Sequence, residues 1–354
     1  MSKARQLADN GAGGQHKNLV INGGMQIHER GGTITLGTGL TTTLDRMTFF
    51  KSHGGTNTVE QSTVAPVGFS HSLKAITTVA DSSVAATDRV AMIYRMEGLD
   101  AAKLEFGSSS AKTITISFYV RSSITGTHGG AVGNGSDNRA YPFTYAISSA
   151  DTWERKVITV PGDTTGTWAV TNARSLQVSW GLGVGSTYSG SAGTWEAADR
   201  NSASGATTGV LTTANATWYI TGIQIEAESF ATPFAPKSFA EDLYDCQRYY
   251  FKFLEGNNKE VGVGWYYSSS HVSFMFRYPT TMRATPTATD STGTNFYTIY
   301  RNGGSDGFNS VAFENGSTES YSAYNSSEVS GTAGQAGIVR ATNASSKIEF
   351  DAEI

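Results

Sequence analysis

Residues 218–250 read WYITGIQIEAESFATPFAPKSFAEDLYDCQRYY, and this stretch decides how the rest of the chain divides. Trp218–Glu228 alternates as a strand does. A simple period of two places Tyr219, Thr221, Ile223 and Ile225 on one face and Trp218, Ile220, Gln224 and Glu226 on the other. Pro233 and Pro236 stop the strand, because proline fixes φ and has no N–H to donate. Ser238 and Glu241 then fit the S-x-x-E capping box that opens a helix. Phe239, Leu243, Cys246 and Tyr250 recur at spacings of four, three and four, giving one apolar stripe. The stretch therefore predicts a linking helix over 238–252, between a larger β-domain at 18–237 and a smaller one at 253–354.

Working outward, residues 1–17 form a small-residue leader with a flexible GAGG joint at 11–14. Asn18–Asn22 (NLVIN) predicts the first strand. Thr113–Val120 (TITISFYV) predicts one apolar and one wet face. Strands are also expected at Ser72–Val79, Arg89–Glu97, Tyr141–Ile147, Trp153–Val160 and Leu176–Leu182. The segments Gly126–Asn138 and Ser186–Gly209 read as long loops. Beyond the helix, expected strands are Val261–Tyr267, His271–Tyr278, Ala284–Asp290, Phe296–Tyr300, Ser310–Phe313, Gly337–Ala341 and Lys347–Ala352. Turn signals fall at Asn302-Gly303 and Asn315-Gly316. Many short strands with glycine-rich connections predict an all-β, antiparallel sandwich followed by a second β-domain.

Composition narrows the function. Of the 354 residues 16% are charged, with 40 glycines and a net charge of −4. That balance lacks the basic footprint of a nucleic-acid binder, and no basic run suits an anionic membrane surface. The opening MSKARQLADNGAGGQHK has no apolar core, so no signal peptide is expected. No apolar run nears ~18 residues, so no membrane-inserted helix is expected. Cys246 is the single cysteine, which excludes an internal disulfide framework.

Five segments, in order, resemble tailed-phage fibre and virion proteins. NLVINGGMQIHERG (18–31) with LDRMTFF (44–50) is similar to their N-L-(L/I)-x-N-G-x-M opening and following D-R-W. TITISFYVRSS (113–123) resembles T-(L/I)-S-F-W-(A/V)-R-S. Residues 220–250 resemble Q-L-E-x-G-x-x-A-T-P-F-E, closing in C-Q-R-Y-Y. FRYPTTMRATPT (276–287) and IEFDAEI (348–354) resemble the family's F-P-x-x-M-R-x-x-P-T and F-D-A-E-L segments. Met47 and Tyr119 stand where the pattern carries Trp, and both are expected in the core.

The resemblance implies that the first domain is a jelly roll like that of carbohydrate-binding modules. It implies a virion component assembled in the host cytoplasm and extracellular in the mature particle, often trimeric. A tail fibre or appendage adhering to host-surface glycan or protein is the expected function. A capsid decoration or knob protein is the alternative, and a polysaccharide depolymerase a third. The leader, with Lys3, Arg5 and Leu7, is the expected dock onto other virion proteins.

The six histidines are dispersed, with no metal-seating spacing. Gly181–Ser186 does not fit G-x-G-x-x-G before a helix, and no nucleophile elbow is recognisable. Glu226 and Glu228 share a strand face about 6–7 Å apart, as solvated acids commonly do. Glu97 and Asp100 are the other carboxylate pair that could cut a glycosidic bond if the two sat ~5–9 Å apart. No enzyme activity and no cofactor are therefore expected. A loop-bound calcium ion is left open, with Asp137, Asp163 and Asp199 eligible but no D-x-D-x-D-G loop. Aromatic side chains are the better lead, because a sugar's C–H face stacks on a ring while polar neighbours bond its hydroxyls. Trp265, Tyr266, Tyr267, Tyr297, Tyr321, Tyr324 and Trp195 are the candidate contacts, with Trp168 and Tyr188 comparable. Ordinary core filling is the competing explanation for about two-thirds of these rings.

Overall fold

The computed structural model describes residues 18–354. Lys3, Arg5 and Leu7 lie outside the described residues. The chain forms two compact units, the first taking the chain to Gln26 and then Gly32–Phe239, the second Ile27–Gly31 and Ala240–Ile354.

The first unit is a jelly-roll β-sandwich. One six-stranded sheet runs, in spatial order, Ile34–Thr35, Thr56–Ser62, Ser72–Val79, Thr217–Glu226, Ile114–Ser122 and Glu154–Val160. The other runs Gly39–Thr42, Met47–Lys51, Arg89–Glu97, Arg174–Val184, Gly126–Asn134 and Ala140–Ile147. Pairing is antiparallel throughout both sheets. The chain crosses between sheets at most connections, so each contributes one wall of a shared core. Phe118 from one wall meets Trp180 from the other edge-on at 5.6 Å. Burying such large rings supplies most of the drive to close the sandwich.

Five expectations are corrected in this unit. Asn18–Asn22 is not a strand: Leu19 makes one backbone bond to Ile225 O, and the Asn18 side chain bonds Ile223 O and the Ile225 N–H. An asparagine side chain there replaces a β-ladder. Gly126–Asn134, expected as a loop, is a strand, because its glycines leave room for close neighbours. A Cβ on Gly129 would lie 2.3 Å from Ser202 Oγ. The face assignment after Thr221 inverts. Gly222, at φ +63°, forms a bulge that shifts the register between Thr221 and Gln224, so Trp218, Ile220, Ile223 and Ile225 all enter the core. The supposedly wet face of TITISFYV is covered: Thr115 is fully buried and donates to Glu228 O. Met47 is in the core as expected, but Tyr119 lies against Phe69 outside it.

The second unit contains the helix Phe239–Gln247 and two sheets. Cys246 is buried as expected, but Phe239 is exposed, and the helix expected over 238–252 stops at Gln247, with Tyr250 opening a strand instead of closing the stripe. A three-stranded sheet orders Tyr250–Glu255, Lys347–Asp351 and Thr287–Asp290. A seven-stranded sheet orders Gly304–Phe308, Tyr297–Arg301, Ala336–Ala341, Lys259–Ser268, His271–Arg277, Ser320–Asn325 and Ala312–Glu314. Phe350 packs at ring distances of 5.0–6.1 Å from Tyr278, Phe276, Tyr321 and Phe313. Arg30 belongs to this unit, paired with Asp351 at 2.8 Å and stacked over Tyr250. No helix among the described residues is long and apolar enough to cross a membrane.

Candidate functional site

The seven-stranded sheet has one face in the core and one open. In Lys259–Ser268, Tyr266 is 0% exposed while Val263, Trp265 and Tyr267 are 68%, 43% and 75% exposed. Period-two pleating produces that split: alternate side chains point to opposite sides. Register then aligns the neighbours. Tyr300 is opposite Ile338, and Ile338 opposite Val263. Trp265 is opposite Ser273, and Ser273 opposite Tyr324. Met275, opposite Ser322, is also exposed. His271 lies between Tyr267, at 5.5 Å, and Tyr324, which it stacks on at 4.9 Å. The outcome is a continuous aromatic and aliphatic face. Arg340, bonded to Glu260 and 5.5 Å from the Tyr300 ring, stands at its margin.

Beneath this face the sheet is rigidly held. The Tyr266 hydroxyl donates to Asp306, and Arg301 bonds Tyr266 Oη, Asp306 and Ser330 O. Burial raises the Tyr266 pKa, reinforced by the Asp306 charge. Burial pushes Asp306 upward too, but bonds from Tyr266, the Ser330 N–H and Arg301 outweigh it and leave its pKa lowered.

The predicted contact residues therefore separate. Trp265, Tyr267 and Tyr324 come together on the open face. Tyr266 and Tyr297 are fully buried core residues. Tyr321 faces inward against Phe313 and Phe350. These three are corrections: in a strand, adjacent or odd-spaced rings cannot all face one side. Val263, Met275, Tyr300, Ile338 and His271 were missed. Aliphatic residues in strands read as core until Trp265 fixes the parity.

Trp195 lies in the first unit, with Tyr141 and Trp168 at 5.5 and 5.8 Å and its indole N–H donating to Pro161 O. Arg139 stands over it and forms a bidentate pair with Asp163. Burial raises the Asp163 pKa, but the Arg139 and Thr165 bonds prevail and lower it. Tyr188 packs on Arg89, whose other side covers Phe50. The same guanidinium bonds Asp199 and Asn201 and ties residues 186–201 across the sandwich. The face of strand Arg174–Val184 beneath that segment is covered, with Ser179 bonding Asn201 O.

Each aspartate considered for calcium is paired with arginine: Asp137 with Arg174, Asp163 with Arg139 and Asp199 with Arg89. Among the described residues no group of three or more His, Cys, Asp or Glu could hold a metal ion. Glu226 is buried and accepts bonds from Thr232 N–H and hydroxyl.

The first unit defines a jelly-roll β-sandwich class. No protein-family model matches the chain. No curated protein matches it. Among solved structures, the enzymatically active domain of bacteriophage CBA120 tailspike protein 4 is similar at 10% identity and a TM-score of 0.31, over 59% of this chain and 21% of that one. The chain thus spans about a fifth of that tailspike structure. A family 11 carbohydrate-binding module from Clostridium thermocellum, in complex with a β-1,3-1,4-mixed-linked tetrasaccharide, is 11% identical. It covers 54% of this chain and 97% of its own, at a TM-score of 0.27. TmCBM61, in complex with β-1,4-galactotriose, is 8% identical over 60% of this chain and 99% of its own, at a TM-score of 0.29.

Proposed function

We propose that the protein is a non-enzymatic component of a tailed-phage virion, a tail fibre or similar appendage, that adheres to host-surface glycan. The five ordered sequence segments support the virion reading, and the open face of the second unit carries the adhesion reading. Exposed apolar faces of this kind mark interaction surfaces. Trp265, Tyr267 and Tyr300 offer ring faces to the C–H side of sugars, while Ser273, Ser322 and Arg340 supply hydroxyl and guanidinium groups at the same level. The centre carries no carboxylate, which suits a neutral glycan. A face without an enclosing pocket gives weak contact per copy, so adhesion arises from several copies acting together, as in a homotrimer docked through residues 1–17.

Val263, Met275 and Ile338 favour a second reading, because aliphatic side chains beside aromatic ones also compose subunit interfaces. In that case the face is covered by another copy. The test is adsorption of purified protein to host cells, with soluble host polysaccharide as competitor and solution mass measured alongside. Adsorption that the polysaccharide blocks, without shortening of its chains, supports the proposal. No adsorption by an oligomer that dissociates on Trp265→Ala substitution favours the interface reading.

A further inference from the structure

The first unit carries a cavity of about 230 Å³ at one end of the sandwich. Its walls are the helical turns Gly98–Leu104, the segment 168–170 and the start of strand Arg174–Val184. Backbone hydrogen bonds join them. Gly98 N–H bonds Ala173 O at 2.9 Å and Leu99 N–H bonds Thr171 O at 2.9 Å. A Cβ on Gly98 would lie 2.3 Å from Ala169 O, so only glycine lets the segments approach this closely. Trp168 is fixed by its indole N–H on Thr165 O and by edge-on packing against Phe106 at 4.8 Å. Ordering entropy is therefore small for whatever enters.

We propose that this cavity binds one neutral hexopyranose residue, as a free monosaccharide or the end of a glycan. Size sets one bound: an engineered apolar cavity of about 150 Å³ takes benzene, so this volume accommodates a single substituted ring. The lining sets another. Trp168, Phe106 and Val170 provide an apolar wall, whereas Ser108, Ser175 and Glu105 add hydroxyl and carboxylate groups. A pyranose has this division, with C–H faces and a hydroxyl edge. Glu105 is already neutralised by Lys112 at 2.8 Å, which disfavours a cationic ligand. Glu105 also adopts a left-handed conformation, φ 57° and ψ 25°, at the end of the turn Ala102–Leu104. The cavity belongs wholly to the first unit and is independent of the open face of the second.

The test is saturation-transfer NMR on the full chain with the methyl glycosides of glucose, galactose, mannose and N-acetylglucosamine, each titrated separately. Saturable transfer to at least one is expected. Ala102→Trp, at an exposed position beside the cavity, should weaken it at least tenfold, as should Trp168→Ala if that variant folds. Trp265→Ala should impair adhesion to polysaccharide, and the transfer that remains in that variant should still fall at least tenfold when Ala102→Trp is added. Absence of saturable transfer from all four probes, or transfer in Trp265→Ala that adding Ala102→Trp does not diminish, would overturn the proposal. Transfer abolished by Trp265→Ala alone assigns the sugar to the open face, which separates failure of the cavity proposal from failure of the adhesion reading.

Discussion

Strands Arg174–Val184 and Lys259–Ser268 look alike in sequence, each setting a tryptophan beside a Gly-x-Gly, yet one has both faces buried and the other has one face open. In the first, Trp180 enters the sandwich while Gly181 and Gly183 turn to the other side. A Cβ there would lie 2.9 Å from Ser202 Cβ and 2.3 Å from Leu211 Cβ, respectively. In the second, Gly264 turns inward, where a Cβ would meet Val339 at 2.7 Å, and Trp265 turns out. Which side the glycine faces records which side is crowded. The first unit covers the outer face of its own strand with its own chain, whereas the second unit leaves the corresponding face of its seven-stranded sheet open.

The largest expected break in this contrast is Trp180→Ala, which should lower first-unit stability by about 3–5 kcal/mol, read as a fall in the denaturant midpoint. Gly129→Ala comes next. Its new methyl collides with Ser202 and Ala203 and should cost about 1–3 kcal/mol, with faster proteolysis within 186–206 as the local signature. Acid provides a third, smaller effect. Burial lowers the pKa of His128 and of His53 below the ordinary 6.5. The unfolded chain then binds more protons in that window, so stability rises with pH. The contribution is complete above about pH 6.5 and is lost as pH falls towards the folded-state values. Thermal melts from pH 8 to 5 should show the first unit's transition falling, and His128→Gln should flatten that slope. Trp265→Ala should be the mildest, within about 0.5 kcal/mol, measured by the same denaturant series.

Much of the architecture was legible because alternation and turns are local. The strand at Trp218, the helix after Pro236 and the Asn302-Gly303 hairpin all follow from neighbouring residues. What escaped depends on distant ones. The isolated Gly222 is itself the local mark of a bulge, but the crowding that demands glycine is remote, since a Cβ there would strike Phe69 at 2.6 Å. NLVIN reads as a strand because nothing nearby shows that the Asn18 side chain substitutes for the ladder. Thr115 and Ser117 look solvent-facing until a remote segment covers them. For the candidate site, pairing Trp265 with Tyr267 and excluding Tyr266 was available from parity alone. Adding Ile338, Tyr300 and Met275 required the register of strands far apart in sequence. The Trp168 cavity likewise depends on two loops meeting.

The most direct measurement of the central claim is binding of the purified protein to immobilised host-surface polysaccharide, wild type against a Trp265→Ala/Tyr267→Ala double variant of unchanged oligomeric mass and melting behaviour. The open-face account predicts at least a tenfold loss of binding in the variant. Binding equal to wild type would contradict it.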